Sequence, residues 1–244
     1  MESENLTIDF EGASMPAYLS RPPKQSGRHA AIIVLQEIFG VNAEVKRITD
    51  LVANAGYVGL AINYYHRTDP KLNEPYTQEG LQRGFAVAAK VNRASLREDI
   101  SSAIAWLGQQ DFVEPNKIAT WGFCFGGTVA FLSATLPGLA GAACFYGASI
   151  ASPMPSGETE ALADVNEIRC PLLLTFGGRD DYITREHIDR IESALREAGK
   201  EAQIEVYPTV GHAFFRESSH AMGDSRVVSD AWELVQAFFK RVLH

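Results

Sequence analysis

Several short apolar runs rich in β-branched or aromatic residues divide the chain: Ala30 to Gln36, Tyr57 to Ile62, Lys117 to Trp121, Ala140 to Tyr146, Pro171 to Phe176 and Gln203 to Tyr207. Their shortness and lack of polar alternation predict strands buried on both faces. Between them, apolar residues recur at helical spacing. Val45, Ile48, Val52 and Ala55 form one stripe, opened by Asn42 as a side-chain cap and stopped by Gly56. Ile100, Ala103, Ile104 and Leu107 form a second, Ile188, Ile191 and Leu195 a third, and Val235, Phe238, Phe239 and Val242 a closing one. Strands alternating with helices predict an α/β architecture, a mainly parallel sheet with helices on both faces and a site beyond the carboxyl ends of the strands. Ahead of this pattern, Leu6 to Phe10 and Met15 to Leu19, separated by residues 11–14, predict an antiparallel hairpin at the sheet edge. The turn-rich stretches Arg67 to Tyr76 and Ser152 to Gly157 read as excursions above the sheet. With no repeat or linker in view, the expectation is one domain over residues 1–244.

Composition narrows the class. A chain of 244 residues that is 46% hydrophobic can bury one large core. Its formal net charge of −8 excludes a uniformly basic nucleic-acid footprint, so any attraction to anions must come from a local basic pocket. The acidic start Met1-Glu2-Ser3-Glu4-Asn5 does not resemble a secretory signal, and no apolar run approaches the roughly 18 residues of a membrane span. The expectation is a soluble, cytoplasmic protein with neither nucleic acid nor membrane as partner. Three cysteines without a Cys-x-x-Cys pair or clustered histidines argue against a disulfide framework or a structural metal. Cys144 and Cys170 read as small core residues.

Cys124 has a different setting. Gly122-Phe123-Cys124-Phe125-Gly126-Gly127 follows the strand-like Ile118 to Trp121 and precedes the helix-like Val129 to Leu132. That is the strand, sharp turn and helix of a nucleophile elbow, with Cys in place of the commoner Ser. Small residues two positions either side let strand and helix approach, while the turn holds the sulfur at a helix N-terminus that favours a thiolate. A glycine-rich turn around a core Cys would look the same, so the reading depends on partners.

Two partners follow in the order expected of such a site. Asp180, in Gly177-Gly178-Arg179-Asp180-Asp181, comes just after an apolar strand and could orient an imidazole, with Asp181 a competitor one residue away. His212, in Gly211-His212-Ala213-Phe214, lies in a loop between the last strand and the last helix. Of the six histidines, His29, His187, His220 and His244 read as surface or terminal residues and His66 as a polar residue of the loop after a strand.

With Gln36-Glu37-Ile38-Phe39-Gly40-Val41-Asn42 added to the three motifs above, the chain resembles the dienelactone hydrolase (carboxymethylenebutenolidase) family over almost its whole length. Serine esterases of the same fold commonly carry a His-Gly type loop where this sequence carries Glu37. The resemblance implies an α/β-hydrolase fold, a Cys124–His212–Asp180 triad and no cofactor or metal. It also implies an oxyanion hole from the backbone N–H groups of Ile38 and Phe125, a small-molecule lactone or ester as partner, and a monomer. Glu37 would take the thiol proton, and Arg216 would face a substrate carboxylate and pair with the same glutamate, a role suited to its forked donors. Dienelactone-degrading members place a second substrate-binding arginine and a tyrosine in the segment before the Asp99 helix, where this sequence has Leu81 and Phe85. Arg83 could substitute only with a shifted backbone. The expectation is therefore a carboxylic ester hydrolase acting on an enol lactone that bears a carboxylate, through a thioester acyl-enzyme. The alternatives are a broader small-ester esterase or thioesterase, and a non-catalytic protein that senses a ligand through Cys124.

Overall fold

The computed structural model describes residues 1–10, 12–23, 27–216 and 224–244. It contains one eight-stranded sheet in the order β1-β2-β4-β3-β5-β6-β7-β8. Strands β1 (Glu2–Phe10) and β2 (Ala13–Arg21) pair antiparallel, and β2 joins β4 (Val58–Ile62) antiparallel. From β4 onward, β3 (His29–Leu35), β5 (Val113–Phe123), β6 (Gly141–Phe145), β7 (Leu172–Gly177) and β8 (Ala202–Tyr207) are all parallel. The expected hairpin is present at one edge, and the predicted apolar runs are strands β3 to β8, with β8 at the other edge.

Consecutive residues from Ala30 to Leu35 are all buried, which requires both faces of the sheet to be covered because side chains alternate along a strand. Neighbouring residues of β5 show what covers them. The Thr120 hydroxyl meets Ser133 of α4 (Phe125–Ser133), whereas the Trp121 ring stacks on Trp232 and meets Phe239 of α6 (Ser225–Leu243). Helices α4 and α6 therefore lie on opposite faces. Helix α1 (Ala43–Asn54) packs on β2, β3 and β4, and Asn42 caps it as expected, its side chain accepting from the N–H groups of Glu44 and Val45. Helices α3 (Arg93–Gly108) and α5 (Arg185–Glu197) complete the stripes read from the sequence.

The structure departs from expectation in two elements. The stretch after Tyr76 forms a helix, α2 (Gln78–Ala88), and Ala161–Glu167 forms a 3-10 turn. Two glycines and an exposed Phe85 interrupt the apolar stripe of α2, so periodicity alone does not reveal it. Strands β1 and β5 also run further than the apolar runs: antiparallel pairing carries the polar end Glu2 to Asn5 of β1, and β5 reaches back to Val113, which pairs with His29 across a register shift. His220 and Glu11 lie outside the described residues. Among the described residues, no helix is long and apolar enough to cross a membrane.

Candidate active site

Close packing of glycines fixes the turn that presents Cys124. A Cβ on Gly122 would lie 1.8 Å from the Gly126 carbonyl oxygen, and one on Gly126 would lie 2.2 Å from that of Leu35. Only residues without side chains let β5, α4 and the end of β3 approach this far. The turn forces Cys124 to φ 54° and ψ −117°, a conformation costing an L-residue about 1–3 kcal/mol. The other positive-φ residues that are not glycine, among those described, are Tyr146 and Ala213, both neighbours of the His212 ring in space or sequence. Strain thus gathers where the sequence motifs converge.

Loops at the carboxyl ends of four strands supply the rest. His212 Nδ1 lies 2.7 Å from Asp180 Oδ2, and the other oxygen of Asp180 accepts from the N–H groups of Tyr182 (2.8 Å) and Ile183 (3.1 Å). The carboxylate is thereby held while it orients the imidazole; Asp181, the competing acid, is exposed. The His212 ring lines the same cavity as Cys124. Burial disfavours the imidazolium, but the Cys124 sulfur and the Asp180 carboxylate outweigh it and push the pKa of His212 up to about 10. Two tyrosine rings, Tyr146 and Tyr182, meet the imidazole edge-on at 5.3 and 5.0 Å.

Glu37 follows β3 and is buried. Burial raises its pKa, while the nearby Arg216 guanidinium and a hydrogen bond from the Tyr76 hydroxyl partly counter that rise. Arg216 Nη1 is 3.7 Å from Glu37 Oε2, an ion pair too long for a hydrogen bond, and this oxygen has no hydrogen-bond partner among the described residues. Tyr76 ties the group together. Its hydroxyl accepts from Asn42 Nδ2 (3.1 Å), and its ring lies 3.9 Å beneath the Arg216 guanidinium. The Tyr64 hydroxyl donates to the Gln36 carbonyl (2.5 Å), which fixes the peptide just before Glu37.

Cys124, His212, Glu37, Arg216, Ile38 and Phe125 all line one cavity of about 360 Å³. Asp180 stands behind His212. The N–H of Phe125 opens α4 and, like that of Ile38, is given to no partner among the described residues, so both are available to an oxygen in the cavity. Arg83 is not brought there. Two positions on from Leu81, it lies on a different side of α2 and pairs with Glu74 (2.8 Å) and Asp69 (3.5 Å), while Leu81 and Phe85 face the cavity. Sequence reasoning missed Tyr76, Tyr146, Tyr182 and Tyr64. Of these only Tyr76, the first apolar residue after a polar loop, carried any signal.

The other described histidines and thiols are elsewhere. His66 is buried against Asp99 at 2.9 Å, His29 bonds the Gly56 carbonyl, and His187 caps α5. Burial raises the thiol pKa of Cys144 well above its usual value and that of Cys170 to about 12, which makes both poor nucleophiles.

The family model of the dienelactone hydrolase family matches residues 15–243. A protein of Synechocystis sp. named "Putative carboxymethylenebutenolidase" is 32% identical over 238 residues, covering 98% of this chain and 96% of its own. The crystal structure of a Klebsiella pneumoniae protein described as "Putative Dienelactone Hydrolase" superposes with a TM-score of 0.88 at 27% identity, covering 98% of each chain. A Thermogutta terrifontis esterase, 20% identical with a TM-score of 0.71 over 98% of this chain and 92% of its own, shares the fold. Sheet order, elbow and family match agree, and the chain belongs to the dienelactone hydrolase family of ester- and lactone-hydrolysing enzymes.

Proposed function

We propose that this enzyme cleaves an activated carboxylic ester, an enol lactone bearing a carboxylate, through a thioester on Cys124. The observation that carries the proposal is the convergence of Cys124 and the Asp180-bound His212 on one cavity that also has two unassigned N–H groups. The sulfur attacks the carbonyl carbon, and the resulting oxyanion is held by the N–H groups of Ile38 and Phe125, each worth about 2.7–4 kcal/mol in comparable sites. Collapse breaks the carbon–oxygen bond, with His212 donating a proton to the departing oxygen. Water, deprotonated by His212, then attacks the thioester and releases the thiol and the acid. A thiolate is a good leaving group itself, so the first step needs a stable leaving oxygen such as an enolate.

In this proposal Glu37 removes the thiol proton. Its raised pKa makes it a stronger base than an exposed carboxylate, and Arg216 restrains it while the cavity is empty. A substrate carboxylate that draws Arg216 away would leave Glu37 free to act. The nucleophile then forms mainly with ligand bound, which protects the thiol from oxidation in a cytoplasmic setting. One domain over residues 1–244 fits the single sheet.

A panel of carboxylated lactones and neutral esters of similar size tests the proposal. Cys124→Ala should lose activity at least about a thousandfold on both. Arg216→Ala should lose roughly tenfold to a hundredfold on the carboxylated lactone and far less on the neutral ester, as expected for one charged hydrogen-bonding partner. Equal losses in Arg216→Ala would assign the arginine to structure, and turnover retained by Cys124→Ala would refute the nucleophile.

A further inference from the structure

Gln78, Leu81 and Phe85 are spaced three and four apart on α2, so they share the helix face that lines the cavity. The helix is held in that rotation. A Cβ on Gly84 would lie 2.5 Å from the Ile38 carbonyl oxygen and one on Gly80 would lie 2.2 Å from that of Pro75, so backbone rests on backbone at both points. Tyr182 and Pro155 line the same cavity from loops after β7 and β6.

Among the described residues, the large apolar side chains left substantially exposed are Met1 (57%), Phe85 (43%) and Tyr182 (52%). Two of these three border one cavity, and their exposure puts them at its rim. An apolar side chain exposed singly on a surface needs no explanation, but two at the rim of a concave site do. The cavity's charge is confined elsewhere: Arg216 is the one Lys or Arg among its described lining residues, and it sits with Glu37 and Tyr76. Where a second guanidinium would anchor a second anionic group, Leu81 and Phe85 offer hydrocarbon.

We propose that the substrate carries an uncharged apolar arm of about the size of an aromatic ring, seated against Leu81, Phe85 and Tyr182, with ionic recognition restricted to the Arg216 end. This deepens the hydrolase reading and rests on it. Apolar walls of this kind discriminate strongly, since even one methylene in a hydrophobic pocket is worth roughly tenfold or more. Phe85 and Tyr182 are then specificity-determining residues, with Tyr182 also packing against the His212 ring.

The test is calorimetric binding of two product-like acids, propionate and 3-phenylpropionate, to the wild-type enzyme and to Phe85→Ala and Tyr182→Ala, beside turnover of their vinyl esters. The expected result is that the phenyl acid binds wild type roughly tenfold tighter or better, and that each variant cuts this ratio several-fold. Leu81→Arg should instead strengthen binding of succinate relative to 3-phenylpropionate. A wild-type ratio below about twofold, or a ratio unchanged in both alanine variants, overturns the apolar seat. If the binding preference holds while neither these esters nor a carboxylated enol lactone is turned over, the hydrolase reading fails and the seat stands. If both esters are turned over without preference, the seat fails and the hydrolase reading stands.

Discussion

Glu37 is the residue on which the proposed chemistry turns. A buried carboxylate with one oxygen lacking a hydrogen bond is costly, and the structure offsets that cost with Tyr76 and a long ion pair to Arg216. A purely structural carboxylate would be expected to close its ion pair to hydrogen-bonding distance. Glu37→Gln should therefore slow single-turnover acylation by a carboxylated lactone by roughly 10²–10⁴, the usual worth of a general base, with the fold intact by circular dichroism. Matching acylation rates at neutral pH would make Glu37 structural and leave His212 as the activating base. The motif around Glu37 was legible in the sequence because a charge between Leu35 and Ile38 demands a partner. Tyr76 was not, because its role depends on the Glu37 to Asn42 segment and Arg216 arriving from two distant stretches of chain.

Among the elements, α2 matters most to the site and was the least legible. Its stripe is broken by Gly80 and Gly84, which read as loop residues until the carbonyls they rest on are known. Gly84 touches the carbonyl of the Ile38–Phe39 peptide, and Ile38 itself carries the N–H that is half of the proposed oxyanion hole. In Gly84→Ala either α2 or that peptide must shift, because the new Cβ would stand 2.5 Å from the Ile38 oxygen. The expected outcome is a fall in kcat by up to roughly 10²–10³, the effect of losing one oxyanion donor, on carboxylated and neutral esters alike. Gly108→Ala is the control, since its nearest neighbour would be the Pro115 Cβ at 4.0 Å. Steady-state kinetics of both variants check this, and an unchanged kcat in Gly84→Ala would show that the Ile38 peptide is not held by α2. The central strands β3, β4, β6 and β7, by contrast, were read within a residue of their observed ends, because strands buried on both faces must be continuously apolar, whereas β5 starts four residues before its apolar run.

At the scale of the whole molecule, the site leaves a mark on stability. Burial disfavours the charged His212 ring, yet Cys124 and Asp180 hold its pKa at about 10, above the usual histidine value. A group whose pKa is raised by folding binds its proton more tightly in the native state. Its contribution is fully present below about pH 6.5 and is lost as pH rises toward 10. Chemical denaturation across this window should show wild-type stability falling more steeply than that of Cys124→Ala, which lacks the sulfur that raises the pKa. Parallel slopes would mean that the sulfur does not raise the pKa of His212 in the folded enzyme. The topology that unites these groups was predictable from the alternation of strand and helix, which sends every strand-to-helix loop of the parallel sheet to one end. The shape of the cavity was not, since it depends on where α2 and Tyr182 settle above that end.

The central claim, that Cys124 carries the acyl group, is tested most directly by rapid-quench mass spectrometry during turnover of a carboxylated enol lactone. The account predicts an acyl mass on the peptide containing Cys124, lost on treatment with hydroxylamine and absent from Cys124→Ala, with Cys144 and Cys170 unmodified. Undiminished turnover by Cys124→Ala, or an acyl group on any other residue, would contradict it.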